Sequence, residues 1–208
     1  MAPTLRRLTG RAGRPLPVPF FERPSEVVAR ELIGAIVEVR RGDTLAFGRI
    51  VETEAYLGAD DPASHAFRYR RHAGNASLYL PSGTWYVYRS YGIHWCANLI
   101  AGGRPAGSAV LLRALEPLDG LAAMRRRRGG VEDRLLANGP GKLCQAFAID
   151  RSLDGRPMQR SWARVFADAP VSDITVTPRI GISKAVDWPL RFVATGTSWA
   201  SRPTARRS

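Results

Sequence analysis

Two carboxylates, Glu52 and Glu54, alternate in the stretch Arg49-Ile50-Val51-Glu52-Thr53-Glu54-Ala55-Tyr56-Leu57-Gly58, with Tyr56 next in the same alternation. Val and Thr favour extended backbone, and Leu57-Gly58 opens a breaker-rich loop, so the stretch reads as a strand with a polar end. Alternate strand side chains share a face. Ile50, Glu52, Glu54 and Tyr56 are therefore expected on one side, and Val51, Thr53 and Ala55 on the other. A positioned carboxylate can activate a water, and a ring beside it can stack on a planar group. The chain carries a formal net charge of +13. An acid beside a ring, in a protein that attracts anions, points to chemistry on a flat base attached to a polyanion.

Further constellations support that chemistry. His65 follows Tyr56 in a long loop. The aromatic ladder Trp85-Tyr86-Val87-Tyr88-Arg89-Ser90-Tyr91-Gly92-Ile93-His94-Trp95 comes next. Tyr88 and Tyr91 differ in parity, so a regular strand cannot bury both, and Gly92 marks a bend where one ring can project. Asn98 precedes Arg113, which lies in the apolar run Val110-Leu111-Leu112-Arg113-Ala114-Leu115. A charge there is costly unless paired, and Glu54 is its natural partner if the two strands are neighbours. A carboxylate held by an arginine is expected to stay ionised and to orient a water. Each feature also has a plain reading: a solvated acid, a core aromatic strand, a structurally paired arginine. The combination carries the weight.

The elements that must position these residues are legible from period and punctuation. Ser25 is placed to cap a helix running to about Ile33, stopped by Gly34. Residues 35–40 alternate as a strand, Arg41-Gly42-Asp43 is a turn, and the next strand covers 44–56. Residues 57–83 form a long loop, and loops of that length in a compact domain are usually functional. Strands are expected at 85–91, 95–100 and 109–115. Glu116-Pro117 introduces a helix to about Arg128, ended by Gly129-Gly130. Pro140 starts another helix to about Ile149, with Lys142 near its exposed N–H groups as a candidate phosphate contact. Residues 191–195 form a late strand. Helices bracket a meander of strands instead of alternating with them, which predicts an α+β fold. It is a single domain with a mostly antiparallel, curved sheet and surrounding helices.

The chain has 208 residues, 45% of them hydrophobic, which suits one globular domain with a full core. Residues 1–16 are expected to be a flexible basic arm, 17–200 the folded domain, and 201–208 a basic tail. Apolar runs are too short to span a membrane, and Pro and Arg interrupt any signal-peptide core, so a cytoplasmic protein is expected. Cys96 and Cys144 are the only cysteines, and without a C-x-x-C spacing neither a structural zinc nor a disulfide is expected. Lys142 and Lys184 are the only lysines; the remaining basic side chains are arginines, whose forks suit phosphate.

The decapeptide resembles the signature of the alkyladenine (3-methyladenine) DNA glycosylase family. Four later blocks agree in order and spacing: Tyr86-Val87-Tyr88 with Tyr91 to Asn98, Val110 to Pro117, Gly139 to Ala146, and Arg179-Ile180-Gly181-Ile182. The similarity spans roughly residues 18–200. It implies a monofunctional glycosylase of base excision repair acting on double-stranded DNA as a monomer, without cofactor or metal. The substrate class is an alkylated or deaminated purine: 3-methyladenine, 7-methylguanine, hypoxanthine or ethenoadenine. The position of Glu54 is then the general base, whose water is also held by Arg113 and the main-chain carbonyl of Ile180. Tyr56 stacks on one face of the extruded base, and His65 and Tyr88 pack on the other. Asn98 crowds the purine 2-position. Tyr91 wedges into the minor groove, with His94, Arg89 and Lys142 as further DNA contacts. Glu52 is left a structural role.

The chain departs from that pattern at Gly74-Asn75, where the family often has Arg-Asn, and at Leu78-Tyr79, where many members have Met-Phe. His94 replaces a Tyr of some members. These departures bear on substrate range. No lysine matches a Schiff-base nucleophile, so simple hydrolysis is expected. Two other classes fit parts of the pattern. One is a nucleic-acid-binding domain without catalysis. The other is a carbohydrate glycosidase using Glu52 and Glu54, disfavoured because a neutral sugar needs no such basic surface.

Overall fold

The structure, a computed structural model, describes residues 13–103 and 107–202. Most of both expected terminal arms therefore lies outside the described residues. The parts that are described belong to the fold. Leu16 is buried and its N–H donates to the Val165 carbonyl (2.8 Å), and Ser201 donates to Glu52.

Two short helices come first, α1 (Val18–Phe21) and α2 (Ser25–Glu31). Five strands follow: β1 (Ile36–Arg41), β2 (Thr44–Tyr56), β3 (Trp85–Ser90), β4 (His94–Ala101) and β5 (Ser108–Asp119). After helices α3 (Leu121–Arg127) and α4 (Pro140–Ala146) come β6 (Ala163–Phe166), β7 (Ile174–Thr177) and β8 (Arg191–Ala194). The strands form one eight-stranded sheet in the order β3-β4-β5-β2-β1-β6, with β8 joined to β2 and to β7. Every pairing between these strands is antiparallel. The fold is α+β with a curled antiparallel sheet, as the element pattern predicts.

Several local expectations are corrected. Ser25 does not cap α2: Pro24 holds the cap position, and the buried Ser25 hydroxyl donates to the Tyr56 carbonyl (3.3 Å). Pro117 does not start a helix. It lies in β5 opposite Gly48, at a register irregularity where its missing N–H is tolerated. The turn into α3 comes at Gly120, whose φ of 81° suits glycine. The alternation of β2 also breaks. A bulge between Ile50 and Glu52 puts Ile50 in the main hydrophobic cluster with Ala55, instead of with the two acids.

That main cluster fills the space between the sheet and α2 and α4, around Trp85, Leu99, Leu112, Leu115, Met124 and Phe147. Trp85 satisfies its indole N–H on the Ala163 carbonyl (3.0 Å). A second, smaller cluster contains Ala66, Leu78, Tyr86, Ile100 and Ala109. It packs the 57–83 segment against β3–β5 and leaves a cavity beside it.

Candidate active site

A row across the sheet lays out the site. Tyr86 on β3 pairs with Asn98 on β4, Asn98 with Leu111 on β5, and Leu111 with Glu54 on β2. Glu54 pairs in turn with Arg191 on β8. Neighbouring strands lie about 4.8 Å apart, so this row carries an acid, an amide and a phenol across about 15 Å of one face. Alternation adds Tyr56 and Tyr88, the next members of their strands on that face.

Glu54 is fully buried, and its partners are specific. Oε1 accepts the Ile180 N–H (2.7 Å) and lies 3.3 Å from Arg113 Nη1; Oε2 accepts the Tyr56 hydroxyl (2.9 Å). The Ile180 amide N–H, not its carbonyl, therefore touches the acid. Burial is the largest influence and raises the Glu54 carboxyl above the ordinary value of 4.5, despite the opposing Arg113 charge. Burial and the Arg113 charge, expected to favour the ionised form, thus act on this carboxyl in opposite senses. Burial likewise pushes the Tyr56 phenol far up, so it stays a hydrogen-bond donor.

Glu52 has a different set of partners. Oε1 accepts Arg113 Nε (2.9 Å), Arg191 Nε (2.7 Å) and the Ser201 hydroxyl (2.7 Å), and Oε2 accepts the Ser201 N–H (2.6 Å). Burial pushes its carboxyl up, but Arg191, Arg113 and the Ser201 amide together hold it below its usual value. Arg113 thus spans both acids. Its guanidinium is tethered by Glu52 and presented to Glu54.

A cavity of about 660 Å³ opens above this cluster, bordered by Tyr56, His65, Tyr88, Asn98, Arg113 and Ile180 among others. That volume is within the range of pockets that bury small planar ligands. His65 sits edge-on to Tyr88, with centroids 4.5 Å apart, and its Nδ1 is 2.8 Å from the Tyr86 hydroxyl. Tyr86 stacks on Tyr88 at 5.3 Å. Burial, then the nearby His72 charge, lower the His65 pKa from 6.5, so the ring is neutral at neutral pH. In the tautomer that accepts the Tyr86 hydroxyl proton at Nδ1, Nε2–H is left to donate to a ligand. Asn98 Nδ2 donates to the Tyr86 carbonyl (3.1 Å).

Arginine also backs the other wall. Arg179 is fully buried, forms a fork with Asp61 (Nη2 to Oδ1 2.9 Å, and Nη1 to Oδ2), and donates to the Ala55 carbonyl (3.1 Å). Its guanidinium carbon lies 4.6 Å from the Tyr56 ring centroid, and Arg179 is not itself among the residues lining the cavity. Asp61 also accepts the Leu57 and Ala63 N–H groups (3.1 and 2.9 Å), which fixes the turn after β2.

Of the four expected DNA contacts, Arg89 and Tyr91 border the cavity, whereas His94 and Lys142 are not among its lining residues. Tyr91 is 89% exposed with a φ of 50°, on the β3–β4 turn, where Ile93 N–H donates to the Ser90 carbonyl (3.0 Å). Arg89 is exposed and stacks over Trp95 (5.6 Å). His94 is exposed and packs on Gly141 so closely that a Cβ there would lie 2.8 Å from the His94 Cβ. Lys142 Nζ donates to Asn138 Oδ1 (2.9 Å) on a seven-residue helix. Most of the Arg125–Arg128 run is engaged within the protein: Arg125 with Asp133, Arg127 with the Ala146 carbonyl, and Arg128 with Gln145.

Sequence reasoning missed Tyr86, Asp61, Asn75, Arg179, Arg191 and Ser201. One signal was available: from Pro62 to Leu115 the chain has no acidic residue, although it holds all three histidines. That stretch supplies most of the cavity wall. Asn75, noted only as a departure, is buried. Its Nδ2 donates to the His65 and Arg70 carbonyls (3.0 Å each), and its Oδ1 accepts the His72 N–H (2.8 Å). Among the described residues no cluster of His, Cys, Asp and Glu is placed to hold a metal ion, and both thiols are free and buried.

Comparison with known proteins bears on this geometry. The family model described as methylpurine-DNA glycosylase matches residues 19–198. A relative from Agrobacterium fabrum, provisionally named 3-methyladenine DNA glycosylase, is 49% identical over 90% of this chain and 92% of its own. One of the same provisional name from Methanoculleus marisnigri is 43% identical, over 90% and 98%. The mouse DNA-3-methyladenine glycosylase is 41% identical over 88% of this chain and 60% of its own length.

Proposed function

The chain belongs to the methylpurine-DNA glycosylase family, enzymes that hydrolyse N-glycosyl bonds, and on that premise we propose how its site works. A damaged purine is flipped from duplex DNA into the cavity, because C1′ is shielded while the base is stacked. Tyr56 forms one wall of the slot, and His65 and Tyr88 the other. Glu54 takes a proton from a water held with Arg113 and Ile180. That water attacks C1′, the C1′–N bond breaks, and the base leaves on an abasic site. The candidate substrates are 3-methyladenine, 7-methylguanine, hypoxanthine and ethenoadenine. A purine nucleotide methylated at N3 or N7 carries positive charge, which improves the base as a leaving group.

The observation that carries this reading is the environment of Glu54. It is a fully buried carboxylate with a raised pKa, beside an aromatic cavity and 3.3 Å from a tethered arginine. A base of raised pKa accepts a proton more readily, provided it is ionised. Asn98 crowds the purine 2-position and so disfavours an amino group there, and Tyr91 fills the gap left by the flipped nucleotide. The test is a panel of duplexes, each with one modified purine, assayed for free base. Wild type should release base from at least one of them. Glu54→Gln should lower the single-turnover rate by roughly 10²–10⁴. Release by Glu54→Gln at the wild-type rate would remove Glu54 from the mechanism, and no release by wild type from any duplex would leave a binding protein.

A further inference from the structure

Tyr69 shares an unusual combination of properties with Tyr91. Both are large exposed aromatics, at 64% and 89%, and both have left-handed backbone, with φ of 58° and 50°. No other aromatic among the described residues has a positive φ. Arg68, just before Tyr69, is left-handed as well (φ 54°). Such conformations are uncommon and strained for bulky residues, so the surrounding structure must impose them.

The imposition is visible. The Arg70 carbonyl accepts both Asn75 Nδ2 (3.0 Å) and the Tyr79 hydroxyl (2.6 Å), and the Arg70 N–H returns to the Phe67 carbonyl (3.2 Å). Asn75 ties the same loop to His65. The backbone is thus fixed on its inner side, while the Tyr69 ring stands in solvent. Nothing in the core is gained by that placement.

The surroundings identify what the ring faces. Phe67 and Arg70 border the cavity, as do Ser90 and Tyr91, so both tyrosine turns stand at its mouth. Arg68, Arg70 and Arg71 flank Tyr69 within the stretch that lacks any acid. The Arg71 guanidinium lies over the Tyr79 ring (3.9 Å) and that of Arg68 over Phe67 (5.1 Å), which pre-orders both. A rigid aromatic between arginines suits a partner with both stacked rings and phosphates.

We propose that the turn at residues 67–71 is a second DNA-contacting probe: Tyr69 stacks on bases of the duplex next to the flipped nucleotide, and Arg68, Arg70 and Arg71 hold its phosphates. This rests on the glycosylase reading for the position of the duplex, but it is tested separately. The assay is fluorescence anisotropy with a duplex containing a tetrahydrofuran abasic analogue. Tyr69→Gly accepts the left-handed backbone, so the turn is kept. It should weaken binding by about tenfold, a typical loss for one stacked base. Tyr69→Phe should bind within about twofold of wild type, because the ring is kept. Arg68→Ala should lower the slope of log affinity against log salt by about one phosphate contact. Unchanged binding by Tyr69→Gly, or a Tyr69→Phe loss equal to it, overturns the proposal. If wild type releases no base while Tyr69→Gly still weakens binding, the catalytic reading fails and this one stands.

Discussion

Glu52 and Glu54 look equivalent in a strand read by alternation, and they diverge through what reaches them from elsewhere. Glu54 meets a backbone N–H and a phenol; Glu52 meets two arginines and Ser201. A buried ion cluster is weak evidence for stability, but it fixes orientation. Here it fixes Arg113, whose one charge serves both acids. The sign of the pH dependence follows. Glu54 must be ionised to act as a base, and its raised pKa places the acid limb of base release above pH 4.5. The Glu52 charge contributes to that elevation, so Glu52→Gln should move the limb to lower pH. Single-turnover rates from pH 4 to 8 check this, and a limb that stays or rises in Glu52→Gln would contradict the coupling. Parity made both acids and Tyr56 legible as a candidate face. The ranking of Glu54 over Glu52 came from the resemblance. Ser201 and Arg191 carried no local signal, because neither period nor propensity encodes a contact across more than a hundred residues.

His65 raises a related point. The sequence marks it only as a histidine in a long loop. Its orientation depends on Tyr86, which reads as an ordinary core aromatic. Tyr86→Phe removes the hydroxyl at His65 Nδ1 and keeps the stack on Tyr88. It should slow release of bases that need a hydrogen bond from His65 by about tenfold, with little loss of fold stability; rates on hypoxanthine against 7-methylguanine duplexes, with melting curves, check it.

Among the elements, strands β1 to β5 were readable because each is a β-prone run bounded by turn or loop residues. β6 and β7, four residues each, are too short to show a period. The continuation of β5 through Pro117 was hidden because a proline after Glu116 resembles a helix start, while an irregular register tolerates it. The most exacting local device is the Asp61–Arg179 fork, which ties the turn after β2 to the segment holding Ile180 and backs the Tyr56 ring. Removing one partner leaves a buried charge. Arg179→Met should therefore cost about 3–5 kcal/mol in urea unfolding. It should also loosen Tyr56 and the Ile180 amide, so activity should fall below what the folded fraction accounts for. A stability loss under about 1 kcal/mol would show that the fork is dispensable.

The whole molecule combines a neutral buried cluster with a basic exterior. Beneath the cavity, Glu52 and Glu54 balance Arg113 and Arg191, and Asp61 balances Arg179. The excess of +13 is then carried by other residues. Binding to duplex DNA should release counterions, and affinity should fall by about 10³–10⁵ between 50 and 200 mM salt if six to ten phosphates are contacted. A flat salt dependence would count against the cavity mouth as the DNA face. No helix among the described residues is long and apolar enough to cross a membrane.

The row from Tyr86 through Asn98, Leu111 and Glu54 to Arg191 runs across the strands, not along one of them. Its members are therefore far apart in the order of synthesis. A nascent chain that has made Glu52, Glu54 and Arg113 still lacks Arg191 and Ser201, so Glu52 has only one of its buried partners. Folding of such a sheet waits on long-range pairing. The buried cluster beneath the cavity is therefore complete only when the last strand is laid in place.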